Sequence, residues 1–337
     1  MATMCDRPFI SYGTRDRLYG LCWRNDISTL RIAATTFIPG EYVNKIKVFQ
    51  PTMDQRGIMC ALEADHPYPP TKIMWSPAVL SPGPEYLATT ADYLRLWTVS
   101  DTAIEQKITI ADRRQDTCPP LTSFDWSDSD AGLLITSSVD TTCTLWDLNR
   151  PNNAKHKIVT HDTEVYDVAF CNVPYMFGSV GDKSLRLFDL RQLSSSTIVF
   201  ESRDSSPLVR VAFNKRDDRY LATFANGSST ISVIDRRHTS YPVVELNHHT
   251  AGVNSISWSP HSRYELCSAA EDRTVRMYDI CACVTAGTEL GQGLVPNGWN
   301  SNTLLKSQEP INQVSWSPTD PACIGLVDES ALHVVQV

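Results

Sequence analysis

No stretch of this 337-residue sequence approaches the roughly 20 consecutive apolar residues that span a bilayer, and the opening "MATMCDRPFISYG" lacks the apolar core of a secretion signal. Neither a membrane span nor a secretory leader is expected, which leaves the cytoplasm and nucleus as the expected compartments. Positive charge is also short: 30 Lys and Arg stand against 38 Asp and Glu, a net charge of −8. No global field is available to hold a phosphate backbone, so direct nucleic-acid binding is not expected. The ten cysteines show no ordered spacing. Cys281 and Cys283 form the only close pair, with no second Cys or His pair at zinc spacing, so a metal site is not expected. Cys22, Cys143, Cys171, Cys267 and Cys323 sit in apolar, strand-like runs and read as core rather than as a disulfide frame. Nucleophile elbow, phosphate loop and metal-binding helix motifs are missing too, and "GQG" at 291–293 is too short to count. No catalytic residue and no cofactor is assigned.

What is present is a repeat. A composition of 42% hydrophobic and 20% charged residues is enough to build a large core. A short apolar strand ending on an aromatic recurs as "LYGLCW" to Trp23, "TKIMW" to Trp75, "LTSFDW" to Trp126, "VYDVAF" to Phe170, "LVRVAF" to Phe213, "VNSISW" to Trp258 and "INQVSW" to Trp316. Successive aromatics lie 52, 51, 44, 43, 45 and 58 residues apart. This period is close to the 40–45 residues of a WD repeat, which contributes four strands to one propeller blade. The expected fold is all-β: a single seven-bladed propeller over residues 1–337.

The second part of each unit also repeats, as in "YLATTADYLRLW" and "MFGSVGDKSLRLFD", reading strand, tight turn, strand. Asp92, Asp140, Asp182 and Asp272 fall at the turns, where a carboxylate can accept local backbone N–H groups; Asn226 with Gly227 does the same in the fifth unit. His161 and His249 precede the first strand of their units, and Ser179 and Ser268 sit near the turn acids Asp182 and Asp272. Asp, His and Ser could suggest a catalytic triad. The stronger reading is a blade-locking hydrogen-bond network, because buried polar groups must be paired. The seventh unit supplies three strands, so "RPFISYG", residues 7–13, is expected to close the ring as the fourth and to remove an exposed edge. Residues 281–309, with four glycines among polar residues, read as a flexible insertion between the sixth and seventh repeats.

Several phrases are not generic to the repeat. "EYVNKIKVFQ", "DHPYPPTKIMW", "PLVRVAFNKRDDRYLAT" and "LNHHTAGVNSISWSPHS" resemble the Transparent Testa Glabra family of WD-repeat regulators, in register from about Leu18 to Val337. The resemblance implies a non-enzymatic scaffold. In plants such proteins hold MYB and basic helix-loop-helix transcription factors together. In animals they tether dual-specificity tyrosine-regulated and homeodomain-interacting kinases, and some dock on cullin-four ubiquitin ligases. Asp189 with Arg191, and Asp235 with Arg237, match the Asp-x-Arg box through which such proteins contact the cullin-four adaptor. Phe188 and Ile234 stand where that box usually has Trp. The plain alternative for Arg191 is a surface ion pair worth about 0–1 kcal/mol.

Strand c of a blade ends on the wider face, so Arg191 and Arg237 are expected together there. Turns between strands b and c crowd the narrower face, where Tyr93, Thr141, Lys183 and Arg273, each following a turn Asp, are expected with Glu164 as client-binding positions. The leading expectation is an adaptor for regulatory kinases or transcription factors. The alternative is a substrate receptor of a cullin-four ligase, and a hydrolase on the same fold lacks any constellation to support it.

Overall fold

In the computed structural model, which describes residues 9–25, 30–54, 56–77, 85–112, 118–151, 153–173, 175–203, 205–239, 241–282 and 301–337, the chain forms seven four-stranded antiparallel sheets. Each sheet is one blade, with strands a to d running from the ring's centre outward. The strands a are Leu18–Trp23, Lys72–Trp75, Leu121–Trp126, Val165–Phe170, Leu208–Phe213, Val253–Trp258 and Ile311–Trp316, each ending on the aromatic that marks its repeat. Strand d of the last blade is Phe9–Gly13, paired from Phe9 with Val335 to Gly13 with Ala331. The two ends of the chain thus complete one sheet, and the ring has no loose edge at its seam. Arg7 and Pro8, also assigned to this strand from sequence, lie outside the described residues.

The recurring aromatics are explained by what they meet. Opposite the residue before each aromatic, strand b of the same blade places Ala33, Ala88, Ile135, Gly178, Ala222, Cys267 or Gly325. These positions receive the aromatic of the next blade. A Cβ on Gly178 would lie 2.8 Å from the Phe213 ring, and one on Gly325 2.9 Å from Trp23. Trp75 shares a core with Ala33, Trp126 with Ala88, Trp258 with Ala222 and Trp316 with Cys267. The bulkiest receiver, Ile135, faces the smaller ring of Phe170. The hydrophobic core is therefore seven separate clusters, one between each pair of blades, and replacing any one ring by Ala costs about 3–5 kcal/mol.

Polar contacts repeat the same neighbour-to-neighbour logic. In six blades strand a carries a bulge after its first residue. The residue at the bulge, or just before strand a in blade 2, reaches the next blade: Thr71 Oγ1 donates to Leu121 O (3.0 Å), Asn254 Nδ2 to Ile311 O (3.0 Å) and Asn312 Nδ2 to Leu18 O (2.7 Å). Near the axis the buried Asp167 accepts from Ser123 Oγ (2.5 Å) and the Val211 N–H (3.0 Å), with Lys72 Nζ at 3.4 Å. Burial pushes this carboxyl up, but Lys72 and Arg210 outweigh it and hold it below the usual range.

The expected insertion over 281–309 needs correction at its end. Ser301–Lys306 is strand d of the sixth blade, with Leu304 fully buried between blades 6 and 7. Its alternation is too weak to read because one face of an outer strand stays in water. Residues 283–300, including Cys283, lie outside the described residues.

Candidate functional site

Antiparallel order puts the d–a and b–c loops on one face of the ring, called upper here, and the a–b and c–d loops on the other, the lower face. Among the described residues, Arg15, Arg17, Lys183, Arg203 and Arg273 are the bases of the upper loops, against twelve Asp and Glu. Most of the molecule's acidic excess is therefore concentrated there.

Beneath the upper face lie the histidine networks. His249 Nδ1–H donates to Asp272 Oδ2 (2.9 Å), and its Nε2 accepts from the Ser268 hydroxyl (2.6 Å). In blade 4, His161 Nε2 meets Ser179 Oγ at 2.9 Å, with Asp182 at 3.5 Å from Nδ1. Burial lowers both imidazoles' affinity for a proton, despite the neighbouring aspartates. Burial pushes the Asp182 and Asp272 carboxyls up, but local hydroxyl and N–H donors outweigh it. Ser179 and Ser268 are fully buried, so a substrate carbonyl has no path to either hydroxyl.

A third network, which sequence reasoning missed, links the outer strand of blade 1 to blade 2. Trp97 Nε1–H donates to Thr89 Oγ1 (2.9 Å), the Thr89 hydroxyl to His66 Nε2 (2.9 Å), and His66 Nδ1–H to the Tyr68 carbonyl (3.0 Å). The donor order follows from chemistry, since indole N–H can only donate and a carbonyl can only accept. Burial lowers the pKa of His66 to about 4. His161 and His249 stand four residues before strand a, but His66 stands six before it, across "PYPP", and that offset hid the equivalence.

The turn aspartates divide into two kinds. Asp140, Asp182 and Asp272 accept the N–H two residues on, from Thr142, Ser184 and Thr274. Asp92 departs from the expectation: its carboxylate takes a two-pronged grip from Arg95, at 2.6 and 3.0 Å. Thr141 and Arg273 adopt left-handed backbone, with φ of 71° and 66°, whereas in the tighter blade-4 turn it is Asp182 that does so.

All five expected client-face residues fall in upper-face loops, where Glu164, Lys183 and Arg273 are exposed and Tyr93 and Thr141 half-buried. Tyr93 lines a cleft of about 160 Å³ between blades 2 and 3, with Cys118, Pro119, Asp140 and Lys157. Glu164 and Lys183 line a wider cleft of about 580 Å³ over blade 4, beside Tyr166, Arg186 and Glu201 and bordered by the loop that leads to blade 5. Thr141 and Arg273 line neither. Two exposed aromatics on this face, Tyr42 and Tyr68, were not singled out from sequence.

On the lower face the two Asp-x-Arg boxes have the same geometry. Asp189 accepts the Arg191 backbone N–H (2.9 Å), Nε–H (2.9 Å) and Nη2–H (2.5 Å). Asp235 accepts the same three groups of Arg237, at 2.9, 3.0 and 2.6 Å. Each guanidinium is thereby fixed with its Nη1 edge unused by the aspartate. Arg191 is 70% exposed and Arg237 47%, which leaves both edges within reach of a partner. The hydrogen bonds from Arg191 hold the Asp189 carboxyl down at about 2. Burial pushes Asp235 up, but Arg237 outweighs it.

More basic residues gather here than the two expected. Arg219 chelates Asp217 and lies close enough to Arg237 to repel its charge, while Arg236 pairs with Asp218 at 2.5 Å. Arg236 Nη1 also reaches Met176 Sδ (3.9 Å) in blade 4, next to Tyr175, whose ring lies 5.8 Å below the Arg191 guanidinium. These contacts join the two boxes across the blade boundary. Tyr175, 61% exposed at a left-handed φ of 68°, gave no signal in the sequence.

Among the described residues, no helix is long and apolar enough to cross a membrane, and no group of three or more His, Cys, Asp or Glu is placed to hold a metal ion. The WD domain, G-beta repeat model matches residues 240–279. The DDB1- and CUL4-associated factor 7 homolog of Dictyostelium discoideum is 39% identical over 326 residues, covering 95% of this chain and 96% of that protein. A WD repeat-containing protein of Saccharomyces cerevisiae is 33% identical over 318 residues, covering 83% of this chain but 58% of its own length. An uncharacterized WD repeat-containing protein of Schizosaccharomyces pombe is 34% identical over 242 residues, 64% of this chain and 55% of its own.

Proposed function

The chain belongs to the WD-repeat family, beside the DDB1- and CUL4-associated factor 7 homolog of Dictyostelium discoideum, and we propose that it acts there as a non-enzymatic scaffold that assembles protein complexes in the cytoplasm and nucleus. The observation that carries this reading is the separation of two loop-bearing faces on one rigid ring. The upper is acidic and cleft, and the lower presents chelated arginines. The buried His–Ser pairs are consumed in holding the blades, so neither presents an activated serine to solvent, which supports this reading.

Clients are assigned to the upper face, at Tyr93, Thr141, Glu164, Lys183 and Arg273. The finer likeness to Transparent Testa Glabra proteins suggests which clients: dual-specificity tyrosine-regulated or homeodomain-interacting kinases, or MYB and basic helix-loop-helix factors, according to lineage. Aromatic and Arg anchors dominate protein interfaces, which makes Tyr93 and Arg273 the principal positions.

The second reading, a substrate receptor of a cullin-four ligase, is favoured by the paired boxes and by the relative's name, which associates that protein with DDB1 and CUL4. Asp189 and Asp235 orient Arg191 and Arg237 so that Nη1 can donate to a partner's carboxylate or carbonyl. The test is an Arg191→Ala, Arg237→Ala double variant expressed in cells beside wild type. Both arginines are largely in water, so folding should change little, while removal of two such anchors should cost about 2 kcal/mol or more of binding. Loss of adaptor recovery with kinase recovery intact supports the receptor reading. Retention of both returns the arginines to surface ion pairs and leaves the scaffold standing alone.

A further inference from the structure

Tyr42 is 72% exposed and Tyr68 43%, on neighbouring upper-face loops of blades 1 and 2. Their rings meet edge to face at 5.6 Å, and Val43 beside them is 59% exposed. Such a pair of exposed, touching rings would gain by being covered.

Tyr68 is also held there against its own preference. Its φ of 65° is left-handed, a conformation that a bulky side chain adopts only when the surroundings impose it. Two hydrogen bonds impose it: the Tyr68 N–H donates to the Tyr42 carbonyl (3.0 Å), and the Tyr68 carbonyl accepts from His66. His66 is in turn fixed through Thr89 to Trp97, so a buried network from blade 2 to the outer strand of blade 1 ends on the backbone of one exposed tyrosine. Pro69 and Pro70 follow and stiffen the exit. The network joins blades 1 and 2, as the His161 and His249 networks hold theirs, and in addition fixes the backbone of Tyr68.

The surroundings define the occupant. Glu41 adjoins Tyr42 and Asp65 lies three residues before Tyr68, both exposed, within a face whose loops are strongly acidic overall, with Arg15 and Arg17 the bases in the loop that enters blade 1. We propose that the Tyr42–Tyr68 pair anchors an extended, arginine-rich segment of a partner protein, with a guanidinium stacked on the rings and its neighbours held by the acidic rim. Arginine fits better than lysine because its flat, weakly hydrated cation stacks on an aromatic face, whereas an ammonium keeps its water. The inference deepens the scaffold reading and rests on its assignment of clients to the upper face.

The test uses the full chain, purified, with fluorescein-labelled nona-arginine and nona-lysine as probes of equal charge. Wild type should bind nona-arginine several-fold more tightly than nona-lysine at about 0.15 M salt, where surface attraction alone is screened. A Tyr42→Ser, Tyr68→Asn variant should weaken nona-arginine by that same several-fold factor and so erase the preference, with nona-lysine nearly unchanged. Asn suits the left-handed backbone, and Tyr42→Ser alone, at a position without backbone strain, keeps the test open if the double variant is unstable. Tyr175→Asn, on the lower face, should change neither probe. Equal binding of the two probes, or a preference that survives loss of both rings, overturns the proposal and leaves only non-specific attraction to the acidic loops. These results do not depend on client recovery from cells, so this inference can fail while the client-face reading stands. That reading fails instead if a Tyr93→Ala, Arg273→Glu variant retains every client.

Discussion

At the scale of single residues, the buried histidines make stability depend on pH with a definite sign. The folded pKa of His66, about 4, lies below the ordinary 6.5, so the folded state binds this proton less readily than the unfolded chain. Its contribution is complete above about pH 6.5 and is lost as the pH falls towards 4, by about 3 kcal/mol at the lower end. His161 and His249 are lowered in the same direction. A His66→Asn variant should therefore melt below wild type at pH 7.5 and lose less of its stability than wild type between pH 7.5 and 5, read by thermal denaturation. Equal losses would remove His66 from the pH response. The residue scale is also where the sequence was least complete. His161, His249 and the two arginine boxes could be read because their partners sit at fixed offsets. Tyr68 and Tyr175 could not, because nothing in a tyrosine announces a left-handed backbone or an uncovered ring.

At the scale of the strand, legibility followed burial. Strand a and strand b are covered on both sides by neighbouring blades, and their near-continuous apolar runs, from "LYGLCW" to "INQVSW", stand out from the turns around them. Strand d is half in water and carries little pattern. Gln192–Glu201 is exposed over most of its length, and Ser301–Lys306 was absorbed into an expected insertion although it completes the sixth blade. The single cue was the Leu304–Leu305 pair, two apolar residues among polar ones, of which Leu304 is the buried one. Leu304→Ala should destabilise the protein by about 2–5 kcal/mol, the range for emptying a well-packed leucine site. A shift of the denaturant midpoint with unchanged slope would show this. No shift would mean that the outer strand of blade 6 contributes nothing to the core between blades 6 and 7.

At the scale of the whole molecule, the fold is a closed chain of identical handshakes. Each blade offers a residue in strand b, small in all but the Ile135 of blade 3, and receives the next blade's aromatic, and the last handshake, Trp23 on Gly325, joins residues 302 positions apart. Trp23 Nε1–H donating to Ser315 O (2.9 Å) and the Phe9–Gly13 strand close the same seam. Deleting residues 1–13 should lower the melting temperature and promote association through the freed edge of Ala331–Gln336, visible by light scattering. A monomer of unchanged stability would contradict closure by this strand. Closure matters for the proposed function because a ring without a loose edge would let the two faces act independently.

That independence is the central claim, and quantitative affinity mass spectrometry of three tagged forms tests it most directly: wild type, Tyr93→Ala with Arg273→Glu on the upper face, and Arg191→Ala with Arg237→Ala on the lower. Two separate partner sets, each lost from one variant and retained by the other, is the predicted result. A single set lost from both variants, or no loss from either, would contradict it.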